Sequence, residues 1–350
     1  MKHPILIALW LLVEAAAPMV WAQEPANEAR LVGALDQGHL RLSWEAVDGK
    51  LQQASAVTGV WQTVTTGVSP YLTQAASPQK YYRLILPASG RKWLTVAAVT
   101  MSVQTNTEAN LQTMYSYMEL AASNRADLVV FPEIALQQCP AWGDASHKPT
   151  APEMAYVRQT AETIPGPSTS NLLAKAKALG LYVVFGLTEK DEAGLLYNAN
   201  VFLGPEGLLG KHRKRYLTDS SWGGNEDQIW RPGQAWDVID SPIGKVGLLI
   251  CLEMVYYPGS ALANQGADLL VTSSAWSSSY GSDYDNGTIG NAFQARRWHV
   301  ISDQVGPDGH NQSYGHSRVV DPGGKIACDT GAREGMALWS TDLLIDAGTR

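Results

Sequence analysis

Gly-Lys-Val-Gly-Leu-Leu-Ile-Cys-Leu-Glu occupies residues 244–253. The apolar run that ends at Ile250 predicts a buried strand, and Cys251 falls where that strand leaves the core. Pro258 and Gly259 lie just beyond, where a helix can start. A thiol at such a junction meets a substrate and the positive end of a helix together, an arrangement that lowers a thiol pKa and readies it for attack. Taken alone, an apolar-flanked cysteine is more often a small core hydrophobe. The surrounding motifs have to decide between the two.

The strand does not stand alone. A helix is predicted over 258–265 and a second strand over Ala267-Asp268-Leu269-Leu270-Val271. The same unit occurs earlier. Trp93 to Thr100 reads as a strand, and Thr105-Asn106-Thr107-Glu108 reads as a capping box that opens a helix. Leu111, Met114, Met118 and Ala122 keep helical spacing on one face. Ala126 to Phe131 is the second strand, stopped by Pro132. Both units carry Ala-Asp-Leu-x-Val in the second strand, which predicts an internally duplicated α/β architecture. Between them, Ser170 to Leu179 reads as a helix ended by Gly180, and 181–187 and 198–203 read as strands.

The first part of the chain has a different period. Leu40 to Trp44, Val60 to Val64 and Tyr81 to Ile85 alternate or are rich in strand formers, and turn residues separate them. Residues 29–88 are therefore expected to form a small β-sandwich-like module, similar to the short fibronectin-like modules appended to exported bacterial enzymes. Pro87 to Gly90 reads as a linker. Residues 1–22 read as a signal peptide: Lys2 and His3 precede an apolar stretch, and Val20-Trp21-Ala22 offers a cleavage site before Gln23. Export to the periplasm or the outside is the resulting expectation.

Composition narrows the classes. The chain has 350 residues, 45% hydrophobic and 17% charged, enough to bury a large core. The net charge is −7. The only basic run is 211–215, so nucleic acid is a poor partner. No later run reaches the ~20 apolar residues of a membrane span, so stable membrane insertion is not expected. The three cysteines make no disulfide framework, although Cys139 and Cys328 could pair. No zinc spacing, Walker loop or dinucleotide fingerprint occurs, so neither metal nor cofactor is expected.

Three further segments carry chemistry. Phe131-Pro132-Glu133 puts a carboxylate at the end of a strand, where open α/β sheets place functional groups. His212-Arg213-Lys214-Arg215-Tyr216-Leu217 reads either as a solvated basic turn or as a site lysine. Asn225-Glu226-Asp227-Gln228-Ile229-Trp230-Arg231-Pro232-Gly233 adds a second glutamate before an aromatic residue and a Pro-Gly turn. In this order, with Cys251 last, the segments resemble the nitrilase superfamily of carbon–nitrogen hydrolases over roughly 92–346. Tyr197-Asn198, Gly204-Pro205-Glu206-Gly207 and Asp321-Pro322-Gly323-Gly324 resemble strand-turn pieces of the same family.

The resemblance implies a four-layer α-β-β-α sandwich, assembled as a homodimer or higher homo-oligomer through its sheets. It implies Cys251 as nucleophile, Glu133 as general base and acid, Lys214 rather than Lys211 as the oxyanion-stabilising cation, and Glu226 as support. The backbone N–H of Leu252 would be a second oxyanion donor. The implied substrate is a small non-peptide amide or N-carbamoyl amine; a nitrile is the alternative within the family, and an inert surface-binding protein the alternative outside it. Cys251-Leu252-Glu253 departs from the commoner Cys-x-Asp, so Glu253 is either a ligand-binding carboxylate or a charge at a helix N-terminus. Trp276 is a candidate pocket wall or a core residue. The segment 277–287 reads as a polar loop that could cover the site. His299, His310 and His316 lack ligand-like spacing and read as structural or exposed.

Overall fold

The computed structural model describes residues 6–9, 32–36, 39–43, 50–54, 62–66, 71–74, 81–85, 91–308 and 310–344. The chain divides into two compact units, one up to Trp93 and one from Leu94 to Asp346. The expected linker 87–90 lies outside the described residues, as does the expected leader 1–22 apart from β1.

The first unit contains only strands among its described residues: β1 (Leu6–Leu9), β2 (Val32–Asp36), β3 (His39–Ser43), β4 (Lys50–Ala54), β5 (Gln62–Thr66), β6 (Tyr71–Gln74) and β7 (Tyr81–Ile85). They form two sheets, ordered β1-β7-β4-β5 and β2-β3-β6, with antiparallel pairing throughout. Leu42, Leu51, Ala54 and Tyr82 are buried.

The second unit is built twice over. Its first half runs β8 (Arg91–Thr100), α1 (Thr107–Ser123), β9 (Leu128–Val130), α2 (Ala151–Thr160), α3 (Pro167–Leu179), β10 (Tyr182–Lys190), β11 (Leu196–Gly204) and β12 (Gly207–Arg213). The second half runs β13 (Val238–Ile239), β14 (Val246–Ile250), α4 (Gly259–Asn264), β15 (Leu269–Ser274), α5 (Gly281–Ala295), β16 (Trp298–Asp303), the hairpin β17 (Val305–Asp308) and β18 (Asn311–Tyr314), then β19 (Arg318–Val320), β20 (Ile326–Asp329) and β21 (Gly335–Leu344). One sheet is ordered β12-β11-β10-β9-β8-β21, the other β13-β14-β15-β16-β19-β20. In the first, β8, β9 and β10 are parallel and β11 and β12 continue antiparallel. In the second, β14, β15 and β16 are parallel and β19 and β20 continue antiparallel. The two Ala-Asp-Leu-x-Val strands thus hold equivalent places, as the repeated unit predicts.

Burial explains the layers. Along β8, Leu94, Val96 and Ala98 join an apolar cluster with Val246, Leu248, Leu269 and Val271 of the other sheet. Ala97 and Val99 point the opposite way, into a cluster with Leu111, Met114 and Met118 of α1 and Leu172 and Ala176 of α3. Leu249 and Leu270 pack on Leu262 of α4. Each parallel strand is buried on both faces, which gives the near-continuous apolar runs of the sequence and an α-β-β-α sandwich.

Three local expectations are corrected. The N-cap of α1 is Asn106, whose Oδ1 accepts from the Ala109 N–H at 3.1 Å, and not Thr105. Asn106 immediately precedes the helix, so its side-chain oxygen meets a first-turn N–H, while Glu108 sits inside that turn. α3 starts at Pro167, three residues ahead of Ser170, because a proline fits the first helical position. The segment 277–287 is not a loop: a short 3-10 turn, Ser278–Tyr280, leads directly into α5.

The two sheets meet at the C-terminal ends of their parallel strands. The Glu133 N–H donates to Ser274 O at 3.2 Å, and Met101 bridges to Gln304. The turn after β9 is cradled by Gly186 of β10, whose N–H donates to Pro132 O at 3.2 Å. A Cβ at Gly186 would lie 2.4 Å from the Ile134 nitrogen and 2.8 Å from the Glu133 Cα. Gly186→Ala should therefore lower stability by about 1–3 kcal/mol through backbone displacement, read as a drop of the thermal midpoint. An unchanged midpoint would show that the turn can move freely.

Candidate active site

Lys214 is the first residue past β12, and its N–H donates to Asn198 O at 2.8 Å. The basic run is a strand end with period two. Lys211 and Arg213 point one way and both pair with Glu189. His212 and Lys214 point the other way and are fully buried. The solvated-turn reading of this run therefore fails.

The Lys214 Nζ donates to Glu133 Oε1 at 2.8 Å and to Glu226 Oε1 at 2.7 Å. All three side chains are fully buried. Burial alone would lower the lysine pKa, but Glu133 and then Glu226 outweigh it and hold the ammonium charged. Burial raises the Glu226 carboxyl, against the pull of Lys214. Glu226 opens a 3-10 turn, and its Oε2 accepts from the Thr218 N–H at 2.8 Å. The Trp142 ring lies 5.7 Å from the Lys214 Nζ. Asn198 Nδ2 donates to Glu133 Oε1 at 2.7 Å, the Ala275 N–H to Glu133 Oε2 at 3.0 Å, and Gln304 Nε2 to Glu133 O at 2.7 Å.

Cys251 directly follows β14 and begins a 3-10 turn, Cys251–Tyr256, with φ +47°. It is only 5% exposed, a recessed thiol. The expected lowering of its pKa does not occur. Burial and then Glu133 raise the thiol well above its usual value, against the pull of Lys214. The positive end of one short turn is too weak to offset desolvation beside buried carboxylates. In the resting site the sulfur is a neutral thiol in the electrostatic field of Glu133. Leu252 follows in the first turn, where backbone N–H groups have no partner within the helix.

Glu253 resolves to its second reading. Its Oε2 accepts from the Ile250 N–H at 2.7 Å and from His212 Nε2 at 2.9 Å; its Oε1 accepts from the Arg215 N–H at 2.6 Å. Fully buried and engaged at both oxygens, it holds the Cys251 turn against the strand end that carries Lys214. His212 completes this clamp by donating Nδ1–H to Asp237 Oδ2 at 2.7 Å. Burial would lower the His212 pKa, yet Glu253 and Asp237 raise it to about 9. Trp276 shares an apolar cluster with Cys251, Leu252 and Met254. Its backbone N–H donates to Asp303 Oδ1 at 2.7 Å and its indole Nε1–H to Tyr280 O at 2.7 Å. It is a core residue of the cluster that contains Cys251.

Several contributors escape sequence reasoning. Asn198 stands out in sequence only as part of a strand, His212 only as part of a basic run, and Trp142 and Gln304 carry no local signal. Asp308 is a further case. Its Oδ1 is buried without a hydrogen-bond partner, and burial, with Glu133 and Glu226 nearby, pushes its carboxyl up to about 8. Cys139 and Cys328 do not pair; all three cysteines are free.

The family pattern described as Carbon-nitrogen hydrolase matches residues 95–343. The chain belongs to the carbon–nitrogen hydrolase family, the nitrilase superfamily. Among its relatives, the omega-amidase NIT2 of Mus musculus is 30% identical over 265 residues, covering 71% of this chain and 88% of that protein. The omega-amidase NIT2 of Danio rerio is 28% identical over 278 residues, covering 73% of this chain and 90% of that protein. Two solved structures share the fold of this hydrolase. A Saccharomyces cerevisiae member of branch 10 of the nitrilase superfamily superposes with a TM-score of 0.63 at 24% identity, covering 73% of this chain and 93% of that one. An amidase from Nesterenkonia sp. gives 0.62 at 19% identity, covering 76% and 95%.

The His212 clamp predicts a pH signature for the hydrolase. Its folded pKa of about 9 lies above the usual histidine value. The stabilisation is complete below the unfolded pKa, ~6.5, and is lost as pH rises through about 9. Urea unfolding should show stability declining by on the order of 3 kcal/mol from pH 7 to pH 10. His212→Gln should be less stable at pH 7 and lack most of that decline. An equal decline in both proteins would remove His212 as its source.

Proposed function

We propose that the chain hydrolyses the C–N bond of a small non-peptide amide or N-carbamoyl amine through a thioester on Cys251. The observation that supports this most is the buried Lys214 ammonium held between Glu133 and Glu226 at 2.8 and 2.7 Å, with the Cys251 thiol in the same electrostatic field. Omega-amidase and amidase relatives agree with an amide substrate.

The chemistry follows from the charges. A neutral thiol is a weak nucleophile, so its proton moves to the Glu133 carboxylate as sulfur attacks the acyl carbon. The negative charge that develops on the carbonyl oxygen is held by the Lys214 ammonium and the Leu252 N–H. Collapse of the tetrahedral species breaks the C–N bond, and the leaving amine takes the proton from Glu133. Water then attacks the thioester while Glu133 accepts its proton. The acid leaves and the thiol is restored with that proton. Asn198 and the Ala275 N–H orient Glu133 throughout, and Glu226 anchors Lys214. All groups in this cycle are side chains or backbone of the protein.

A nitrile would add to the same thiol, so it remains the alternative substrate. Export through residues 1–22, a separate β-module over 29–88, and self-association to a homodimer or larger complete the proposal. Among the described residues no helix is long and apolar enough to cross a membrane.

Intact mass after incubation with a panel of amides, N-carbamoyl amines and nitriles should show an acyl adduct on Cys251, with amine or ammonia release. Cys251→Ser should lose the adduct and at least about 10³-fold in turnover while keeping its circular dichroism, a loss at or above that for removing one oxyanion donor. Release from nitriles alone would favour the alternative. No adduct and no amine across the panel would favour an inert binding protein. Turnover retained by Cys251→Ser would exclude the covalent route.

A further inference from the structure

Outside the buried cluster, three side chains from two distant segments of the hydrolase unit converge on one point. His147 lies in the segment ahead of α2, Glu153 in the first turn of α2, and His310 in the turn between β17 and β18. Their ligating atoms all lie within 4.8 Å of one another. His147 Nε2 is 3.2 Å from Glu153 Oε2, and His310 Nε2 is 3.3 Å from Glu153 Oε1. The two imidazole rings face each other with centroids 3.9 Å apart.

We propose that His147, Glu153 and His310 form a binding site for a divalent borderline cation of the zinc class. The spacing supports coordination better than hydrogen bonding. Charge-assisted N–H to carboxylate bonds are typically about 2.7–2.9 Å long, and both contacts exceed that. Bonds of about 2.0–2.1 Å to a tetrahedral ion put neighbouring donors about 3.3–3.4 Å apart, close to the observed 3.3 Å edge between His310 Nε2 and Glu153 Oε1. All three ligating atoms lie within 4.8 Å of one another, and the His310 side chain is half-exposed. Two imidazoles and one carboxylate are a borderline-metal donor set, unlike the all-oxygen sets of calcium and magnesium. The carboxylate is already oriented: the Thr150 N–H donates to Glu153 Oε2 at 2.7 Å and the Thr150 hydroxyl at 2.8 Å. Such outer contacts hold a ligand in place, and they leave Glu153 Oε1 for the ion. Solvent can fill the fourth position.

The site has a structural consequence for the catalytic cluster. The His310 N–H donates to Trp142 O at 3.1 Å, and the Trp142 ring faces Lys214. Asn225 Nδ2 donates to His147 O at 3.2 Å, and Asn225 precedes Glu226. A cation here would clasp the two segments that back Lys214 and Glu226. It would position that wall and take no part in bond breaking, so the site is independent of the proposed catalytic chemistry.

The test uses the full chain in a Cys251→Ser background, which removes the recessed thiol as a competing ligand. After treatment with EDTA and its removal, calorimetric titration with zinc chloride should show one equivalent bound. His310→Ala and His147→Ala should each weaken that binding by at least about tenfold, the lower range seen when even an outer contact of a metal ligand is lost. His316→Ala, whose histidine pairs with Asp329 elsewhere, should bind as the parent does. Cobalt(II) should give visible d–d absorption in the parent and lose it in His310→Ala. Circular dichroism guards against unfolding, and the exposed position of His310 makes that variant the safest. No zinc bound by the parent, or equal binding by His310→Ala, would reduce the cluster to a hydrogen-bonded His-Glu-His group and overturn the proposal.

Discussion

A fully buried ammonium, Lys214, is the constraint around which the hydrolase unit is arranged. An uncompensated charge in a protein interior costs several kcal/mol, and the cost is recovered only by close partners of good geometry. Glu133 and Glu226 supply those partners at hydrogen-bond distance. Each comes from a different element: Glu133 from the turn after β9, Lys214 from the end of β12, and Glu226 from the 3-10 turn that follows. Satisfying one lysine therefore fixes the relative positions of three segments. Two carboxylates against one cation also leave the cluster rich in negative charge. Burial, and then Glu133, keeps the nearby Cys251 thiol protonated.

The second ion network does the same for the nucleophile turn. Glu253 reaches from the Cys251 turn to the Arg215 N–H, beside Lys214, and is itself held by His212. The cysteine and the lysine thus sit on segments joined through one buried carboxylate. A neutral thiol in a recessed position is less open to oxidation than an exposed thiolate. Its nucleophilicity then depends on proton transfer to an adjacent base and not on a standing negative charge.

Much of this was legible in the chain. The repeated strand–helix–strand units and the matched Ala-Asp-Leu-x-Val strands carry the duplication because parallel strands buried on both faces leave long apolar runs. Glu133 and Cys251 stood out because each lies just past such a run, whereas Lys214 and Glu226 were legible only through the resemblance of the ordered segments to the nitrilase superfamily. Local geometry was less legible. Asn106 displaced Thr105 as the cap of α1, and the polar composition of 277–287 concealed a helix that packs through Tyr284, Thr288 and Asn291. Polar residues at helical spacing can face a core when their groups are paired there, as Asn291 is by donating to Met254 O.

The sequence by itself determined the duplicated strand–helix–strand units, because burial periodicity and strand ends are local properties of the chain, and its resemblance to the nitrilase superfamily carried the layers and the order of the reactive residues. It could not determine the state of those residues. The thiol pKa depends on desolvation and on Glu133, a carboxylate more than a hundred positions away. The role of Glu253 depends on which backbone N–H groups its oxygens meet. His147 and His310 become neighbours only when the β17–β18 hairpin folds against the segment ahead of α2. Charge, protonation and convergence of distant side chains are sums over space, and only the tertiary structure sets the distances that enter them.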